Sequence, residues 1–243
     1  VIPGRYQKSL LKLWRRLQKR VLGGNKVLLL GDSHCGIFEY CFDQGLLVPH
    51  WINCEIVAGA TAYGLLNENS TTQAWAKFDC ALKRFRDFDA VVIMLGECDC
   101  SYALWRKAEN LGVAPEALIE TSLSGIRKLV ARIRDGSRGN QRILVAGAPL
   151  PTVDDSSAPI QDNELRREIG ASQVRRTELV LTFNARLEML ARELRVGYFD
   201  LTVQTMNPAT GLVDRRLVGR AGDHHLSHPA SAPLWSAALR KAL

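Results

Sequence analysis

Short apolar runs alternate along this chain with longer stretches in which apolar residues recur every three to four positions. The runs cover 26–30, 53–57, 90–95, 143–146 and 196–199. Each has the length of a strand, and successive apolar positions mark a strand buried on both faces. The intervening periodicity predicts helices over 36–45, 73–86, 115–135 and 174–195. The last of these places Leu179, Val180, Phe183, Leu187, Leu190 and Leu194 on one face. A closing helix is predicted after Pro233, and residues 149–163, with Pro149, Pro151 and Pro159 around Asp154-Asp155-Ser156-Ser157, read as a loop. Alternation of this kind predicts βαβ units, hence an α/β fold: a three-layer α/β/α sandwich around a mostly parallel, flavodoxin-like five-stranded sheet.

In such a sheet ligands bind at the carboxyl ends of the strands. The loops expected there are rich in reactive groups. After the first run comes Gly31-Asp32-Ser33-His34, after the second Ala58-Gly59-Ala60-Thr61-Ala62-Tyr63-Gly64, after the third Gly96-Glu97-Cys98-Asp99-Cys100, and near the C-terminus Gly222-Asp223-His224-His225-Leu226-Ser227-His228.

Composition narrows the reading. The 243 residues are 47% hydrophobic and 23% charged, enough for one large core. The formal charge of +7 is concentrated at one end: seven of the 32 basic residues lie in 1–20 with no acidic residue, leaving 25 basic against 25 acidic. A neutral body predicts no nucleic-acid surface. Within the basic segment Leu10, Leu11, Leu13, Trp14, Leu17 and Val21 form a helical stripe. Residues 1–22 therefore read as a basic amphipathic helix or linker ahead of a domain spanning 23–243, with contact to a membrane surface or another domain through 1–20 as its use. No apolar run approaches the roughly 20 residues that cross a bilayer, so a cytoplasmic location is expected, membrane association through 1–20 being the alternative. The chain begins at Val1 rather than Met, so a signal segment lost from a longer precursor would not be visible.

Six cysteines, all within the first hundred residues of a chain too large to need staples, read as reduced thiols. Cys98-Asp99-Cys100 lacks the two-residue spacing of structural zinc sites, so no metal and no cofactor are expected.

Ser33 emerges where a buried strand ends in Gly-Asp-Ser and runs into a helix start, the placement of an exposed nucleophile; Gly, Asp and Ser are equally ordinary turn residues. A serine needs a base and oxyanion donors. Four of the five histidines lie at the two motif ends: His34 beside Ser33, and His224, His225 and His228 together. The three-histidine group also admits a metal-site or surface-loop reading. Glu97 and Asp99 read either as chemistry or as carboxylates that bind backbone N–H groups of the next helix and hold the site in shape. Tyr63, Trp105 and Arg106 are candidates for a pocket wall or for the core.

The order of these blocks, spread over residues 26–228, resembles the SGNH hydrolase superfamily, the GDSL-like esterases and lipases, in a variant with Gly-Asp-Ser-His as first block. The resemblance implies Ser33 as nucleophile, His225 before Leu226-Ser227 as base, with His224 or His228 as rivals, and oxyanion donors from Ser33 and Gly59, with Gly64 second to Gly59. Two positions depart from the family pattern. Gly96-Glu97-Cys98-Asp99 replaces Gly-x-Asn-Asp, putting Cys98 in place of an asparagine donor. Gly222 stands where the family has the acid three residues before the histidine, so Asp223 orients His225 from two residues away, or a Ser-His dyad operates. The resemblance implies a serine-dependent ester hydrolase or O-acyl(acetyl)transferase acting through an acyl-enzyme on Ser33, with an acylated carbohydrate or polysaccharide as substrate. The alternative is an impaired SGNH-like domain that binds a glycan or partner protein.

Overall fold

The computed structural model describes residues 21–85, 87–136, 139, 141–155, 169–220 and 223–243. The basic segment 1–20 and residues 156–163 of the expected loop lie outside the described residues. Five strands, β1 (Lys26–Gly31), β2 (Trp51–Ile56), β3 (Ala90–Met94), β4 (Arg142–Ala146) and β5 (Gly197–Phe199), form one sheet in the order β2-β1-β3-β4-β5. All four pairings are parallel, with Leu29 opposite Cys54 on one side and Val92 on the other. This is the flavodoxin-like order, and it reverses direction between β1 and β3, which opens a crevice at their carboxyl ends.

The helices are α1 (Gly36–Asp43), α2 (Ala74–Arg84), α3 (Leu104–Leu111), α4 (Ile119–Gly136), α5 (Gln173–Glu193), the single turn α6 (Thr202–Thr205) and α7 (His228–Ala242). Alternate strand residues point to opposite faces, so the continuous apolar runs feed two cores. On one face Leu28, Leu30, Val91, Ile93 and Val145 pack against Phe78 of α2, Leu104 of α3, Ile126 of α4 and Phe183 of α5. On the other, Val27, Leu29, Val92 and Met94 meet Phe38 of α1 and Trp235 of α7, whose rings sit edge to face at 5.5 Å. Full burial of each such side chain contributes roughly 1.5–3 kcal/mol. The result is the expected three-layer sandwich, with α1 and α7 on one side of the sheet.

Three elements differ from the sequence reading. β2 starts at Trp51, two residues early, because Trp51 packs on Phe42 at 5.3 Å and the strand pairs with β1 from Lys26 onward. The segment after β3 is helical, a π-helical turn (Asp99–Ala103) followed by α3, where no element is expected from the sequence. Finally α7 begins at His228, not after Pro233. Pro229 sits in its first turn, where N–H groups lack partners anyway, and Pro233 one turn later costs a single ladder bond while Ala232, Trp235 and Leu239 are buried. Among the described residues no helix is long and apolar enough to cross a membrane.

Candidate active site

The first block sits at the crevice between β1 and β3. A side chain at Gly31 would run into the Met94 carbonyl and the Cys35 sulfur, so only glycine lets the two strands pair to their ends here. Asp32 then leaves the strand with extended backbone and caps a 3-10 turn (Ser33–Cys35), its Oδ1 accepting the His34 N–H at 2.9 Å. Ser33 opens the turn, so its own N–H lies outside the turn's hydrogen bonds.

The C-terminal block comes from the far end of the chain. Its loop is tied down by the Val218–Leu226 bridge, by the Ser227 N–H donating to the Leu217 carbonyl at 2.8 Å, and by the Thr152 hydroxyl donating to the Asp223 carbonyl at 2.7 Å. This places His225 Nε2 2.9 Å from Ser33 Oγ. Behind the ring, Asp223 Oδ1 lies 3.1 Å from His225 Nδ1 and accepts the His225 backbone N–H at 2.9 Å. A two-residue separation suffices because one carboxylate oxygen takes both the main-chain and ring protons. That geometry fixes the proton on Nδ1 and turns the Nε2 lone pair toward the serine hydroxyl. Burial and the nearby His34 charge push His225 below the ordinary histidine range, and the Asp223 and Glu97 carboxylates oppose the shift without cancelling it. For Asp223 burial works against ionisation, but the His225 hydrogen bonds and the His225 and His224 charges outweigh it and hold the carboxyl below its usual range. The His224 ring lies against His225 with centroids 3.9 Å apart and planes tilted by 42°, and His228 packs against Tyr40 at 5.6 Å.

A second acid–histidine pair lies against the first. His34 is buried, its Nδ1 3.0 Å from Asp32 Oδ1 and its Nε2 3.2 Å from the His224 carbonyl and 3.7 Å from Glu97 Oε2. No expectation from the sequence covers this pair. The signal was nevertheless present, because Asp-x-His occurs at 32–34 and again at 223–225.

Asp99 proves to be a support, but of the loop after β2 rather than of the next helix. Fully buried, it accepts the Ala62 N–H at 2.8 Å, the Tyr63 N–H at 2.9 Å and the Ser122 hydroxyl at 2.8 Å. It thereby pins the loop after β2 that carries Gly59. Burial raises its carboxyl to about 6 even against three donors. The same loop is clamped from α4, where Gly125 leaves room for the Ala62 carbonyl and Lys128 Nζ donates to the Leu65 carbonyl at 3.1 Å. Between the two glycines the structure separates their amides. The Gly64 N–H is taken by Thr61 Oγ1 at 2.9 Å, whereas Gly59, at a φ of +70°, sits exposed at the tip of the turn. Cys98 is buried at the start of the π-helical turn, directly after buried Glu97.

Of the remaining candidates, two lie half-buried at the margin of the core and Arg106 is exposed at the surface. Tyr63 and Trp105 pack against the larger apolar cluster, Trp105 Nε1 donates to the Cys100 carbonyl at 2.7 Å, and Arg106 bonds the Tyr102 hydroxyl at 2.6 Å. All six cysteines are thiols outside any disulfide, with Cys35, Cys41, Cys98 and Cys100 buried and Cys80 exposed. Asp223, His224 and His225 each offer a ligand-type atom within 4.8 Å of the others, but both ring nitrogens of His225 and Oδ1 of Asp223 are engaged in the hydrogen bonds above.

No protein-family model matches the chain, and no curated protein does. Solved structures do. The aryl esterase of M. smegmatis superposes with a TM-score of 0.58 at 17% identity, over 90% of this chain and 100% of that one. The chain's fold is that of the GDSL-like hydrolases. A GDSL-like lipase from Bacteroides thetaiotaomicron gives a TM-score of 0.55 at 15% identity over 90% of this chain and 87% of that one. A carbohydrate acetylesterase family member from Sinorhizobium meliloti gives 0.56 at 16% identity over 89% and 96%.

Proposed function

We propose that this chain belongs to the SGNH hydrolases and is a serine-dependent carboxylic ester hydrolase or O-acyltransferase. One observation carries the reading: the 2.9 Å approach of His225 Nε2 to Ser33 Oγ, with Asp223 behind the ring. Ser33 Oγ attacks the ester carbonyl as His225 Nε2 takes its proton, and Asp223 stabilises the imidazolium that forms. The N–H groups of Ser33 and Gly59 receive the oxyanion, with Cys98 at the position of a third donor. Collapse of the tetrahedral adduct breaks the bond to the alcohol oxygen, which leaves with the proton from His225. The acyl group, now an ester of Ser33, passes to water or to a second alcohol through the same base. Entry of water makes the chain an esterase, and entry of a sugar hydroxyl makes it a transferase.

An O-acetylated carbohydrate is the substrate class we favour, supported by the Sinorhizobium meliloti neighbour. A thiol donates hydrogen bonds weakly, and loss of one oxyanion donor typically costs on the order of a hundredfold in rate, so slow turnover is expected. The test is hydrolysis of a short-chain chromogenic ester and of acetylated xylo- or glucosaccharides by wild type and Ser33→Ala. Cleavage by wild type alone supports the reading. Equal activity in both overturns the serine mechanism, and none in either with every ester leaves a binding domain instead.

A further inference from the structure

The two Asp-x-His segments are built alike and interlock. In each, one carboxylate oxygen accepts the backbone N–H of the histidine two residues on and also faces its Nδ1: Asp32 Oδ1 at 2.9 and 3.0 Å from His34, Asp223 Oδ1 at 2.9 and 3.1 Å from His225. In each, the remaining ring nitrogen reaches the middle residue of the other segment. His225 Nε2 meets the hydroxyl of Ser33, and His34 Nε2 meets the backbone carbonyl of His224. The rings lie with centroids 4.6 Å apart.

The two partners of Nε2 differ in one chemical respect that decides the charge of each ring. A hydroxyl donates, so His225 can sit neutral with its lone pair on Ser33. A carbonyl only accepts, and Glu97 Oε2 beside it at 3.7 Å is a second oxygen, so His34 Nε2 must carry a proton while Nδ1 carries another toward Asp32. We propose that His34 is a positioning residue for the chemistry at Ser33: a buried imidazolium, held between Asp32 and Glu97, that clasps the His224 carbonyl and sets the charge beside the His225 ring. The clasp is a property of the fold; its kinetic consequence rests on the serine-hydrolase reading.

The groups facing this pair come from four elements: Asp32 from the turn after β1, Glu97 from the segment after β3, Asp223, His224 and His225 from the C-terminal loop, and His228 from α7. Their effects on His225 have opposite signs. The His34 charge opposes protonation of His225, and the Glu97 and Asp223 carboxylates favour it. A histidine whose charge merely filled space would give no such opposition.

The test follows the ring nitrogens by NMR in 15N-histidine-labelled protein, without reference to turnover. At neutral pH both His34 nitrogens are expected to carry protons, while His225 Nε2 is bare. His34→Gln should raise the His225 titration midpoint by about one pH unit, given a unit charge one ring-width away. Glu97→Gln should lower it. With a chromogenic ester the acid limb of kcat/KM should move in the same two directions, and His34→Gln should lower kcat more than it alters KM. A bare nitrogen on His34, or shifts of one sign in both variants, or no shift, overturns the proposal. Should His34→Gln fail to fold, the wild-type nitrogens and Glu97→Gln still decide it. NMR shifts as expected with no ester cleaved by wild type would refute the hydrolase reading and leave the clasp standing; cleavage without the shifts would do the reverse.

Discussion

Replacing Asp99 by asparagine tests whether the loop bearing Gly59 is held by a desolvated carboxylate. The side chain is fully buried, and its Oδ1 receives Tyr63 N–H and Ser122 Oγ while Oδ2 receives Ala62 N–H. An asparagine carbonyl in the Oδ1 place keeps two of these bonds and presents an NH2 to the Ala62 N–H. What it removes in addition is a titration. Burial lifts the folded-state value from 3.8 to about 6, so the folded chain binds the proton more tightly than the unfolded chain. The associated stability is therefore fully present below about pH 4 and is lost as pH rises through about 6, a change of about 3 kcal/mol at 1.36 kcal/mol per unit. Urea unfolding of wild type and Asp99→Asn at about pH 4 and about pH 7.5 isolates this term, because other carboxylates cancel in the difference. The advantage of wild type over the variant should shrink by about 2.5 kcal/mol from the lower to the higher pH, most of the full change, because the unfolded carboxyl is already partly ionised at about pH 4. A difference that stays constant with pH would mean that Asp99 is not the buried support of the loop.

The other expectations concern turnover. Because burial and the His34 charge hold His225 below its ordinary value, and the base acts in its neutral form, kcat/KM for a chromogenic ester should rise with pH through an inflection below 6.5 and be level at neutrality; an inflection above 7 would contradict the site geometry. Asp223→Asn should lower kcat by roughly 30- to 1,000-fold, the worth of a charge-assisted hydrogen bond to the imidazolium plus a disfavoured tautomer, with the smaller figure favoured by the carboxylate's 44% exposure. A change under threefold would indicate a Ser-His dyad. Cys98→Asn, which restores an amide at the third-block position, should raise kcat by about tenfold or more with little change in KM; an unchanged or lower kcat would remove Cys98 from the oxyanion site.

The sheet was legible because both of its faces are buried. Strands such as 26–30 and 90–95 then read as unbroken apolar runs, and the connection lengths between them allow parallel crossovers. The juxtaposition of Ser33 with His225 was legible for a related reason: the parallel sheet brings every post-strand loop to one edge, so four reactive loops have to meet. What escaped the sequence is non-local or compensated. Asp99 binds amides 36 and 37 positions away, and no periodicity encodes that. The π-helical turn was hidden because Asp99 and Ser101 are buried polar positions in a helix, contrary to the usual amphipathic pattern, and α3, only two turns long, follows directly from it. The start of α7 was missed because Pro233 reads as a helix opener, while burial of Ala232, Trp235 and Leu239 stabilises the helix around it. The His34 clasp needed two Asp-x-His segments to be compared with each other across 190 residues.

On the proposed mechanism Ser33 carries the acyl group while His225 moves its proton. The most direct measurement is mass spectrometry of protein quenched in acid during turnover of an acetyl ester, with peptide mapping of the label. Acetylation on Ser33 in wild type, absent in Ser33→Ala and strongly reduced in His225→Ala, is the expected result. Ester cleavage with Ser33 unlabelled at every quench time, and undiminished in Ser33→Ala, would contradict the account.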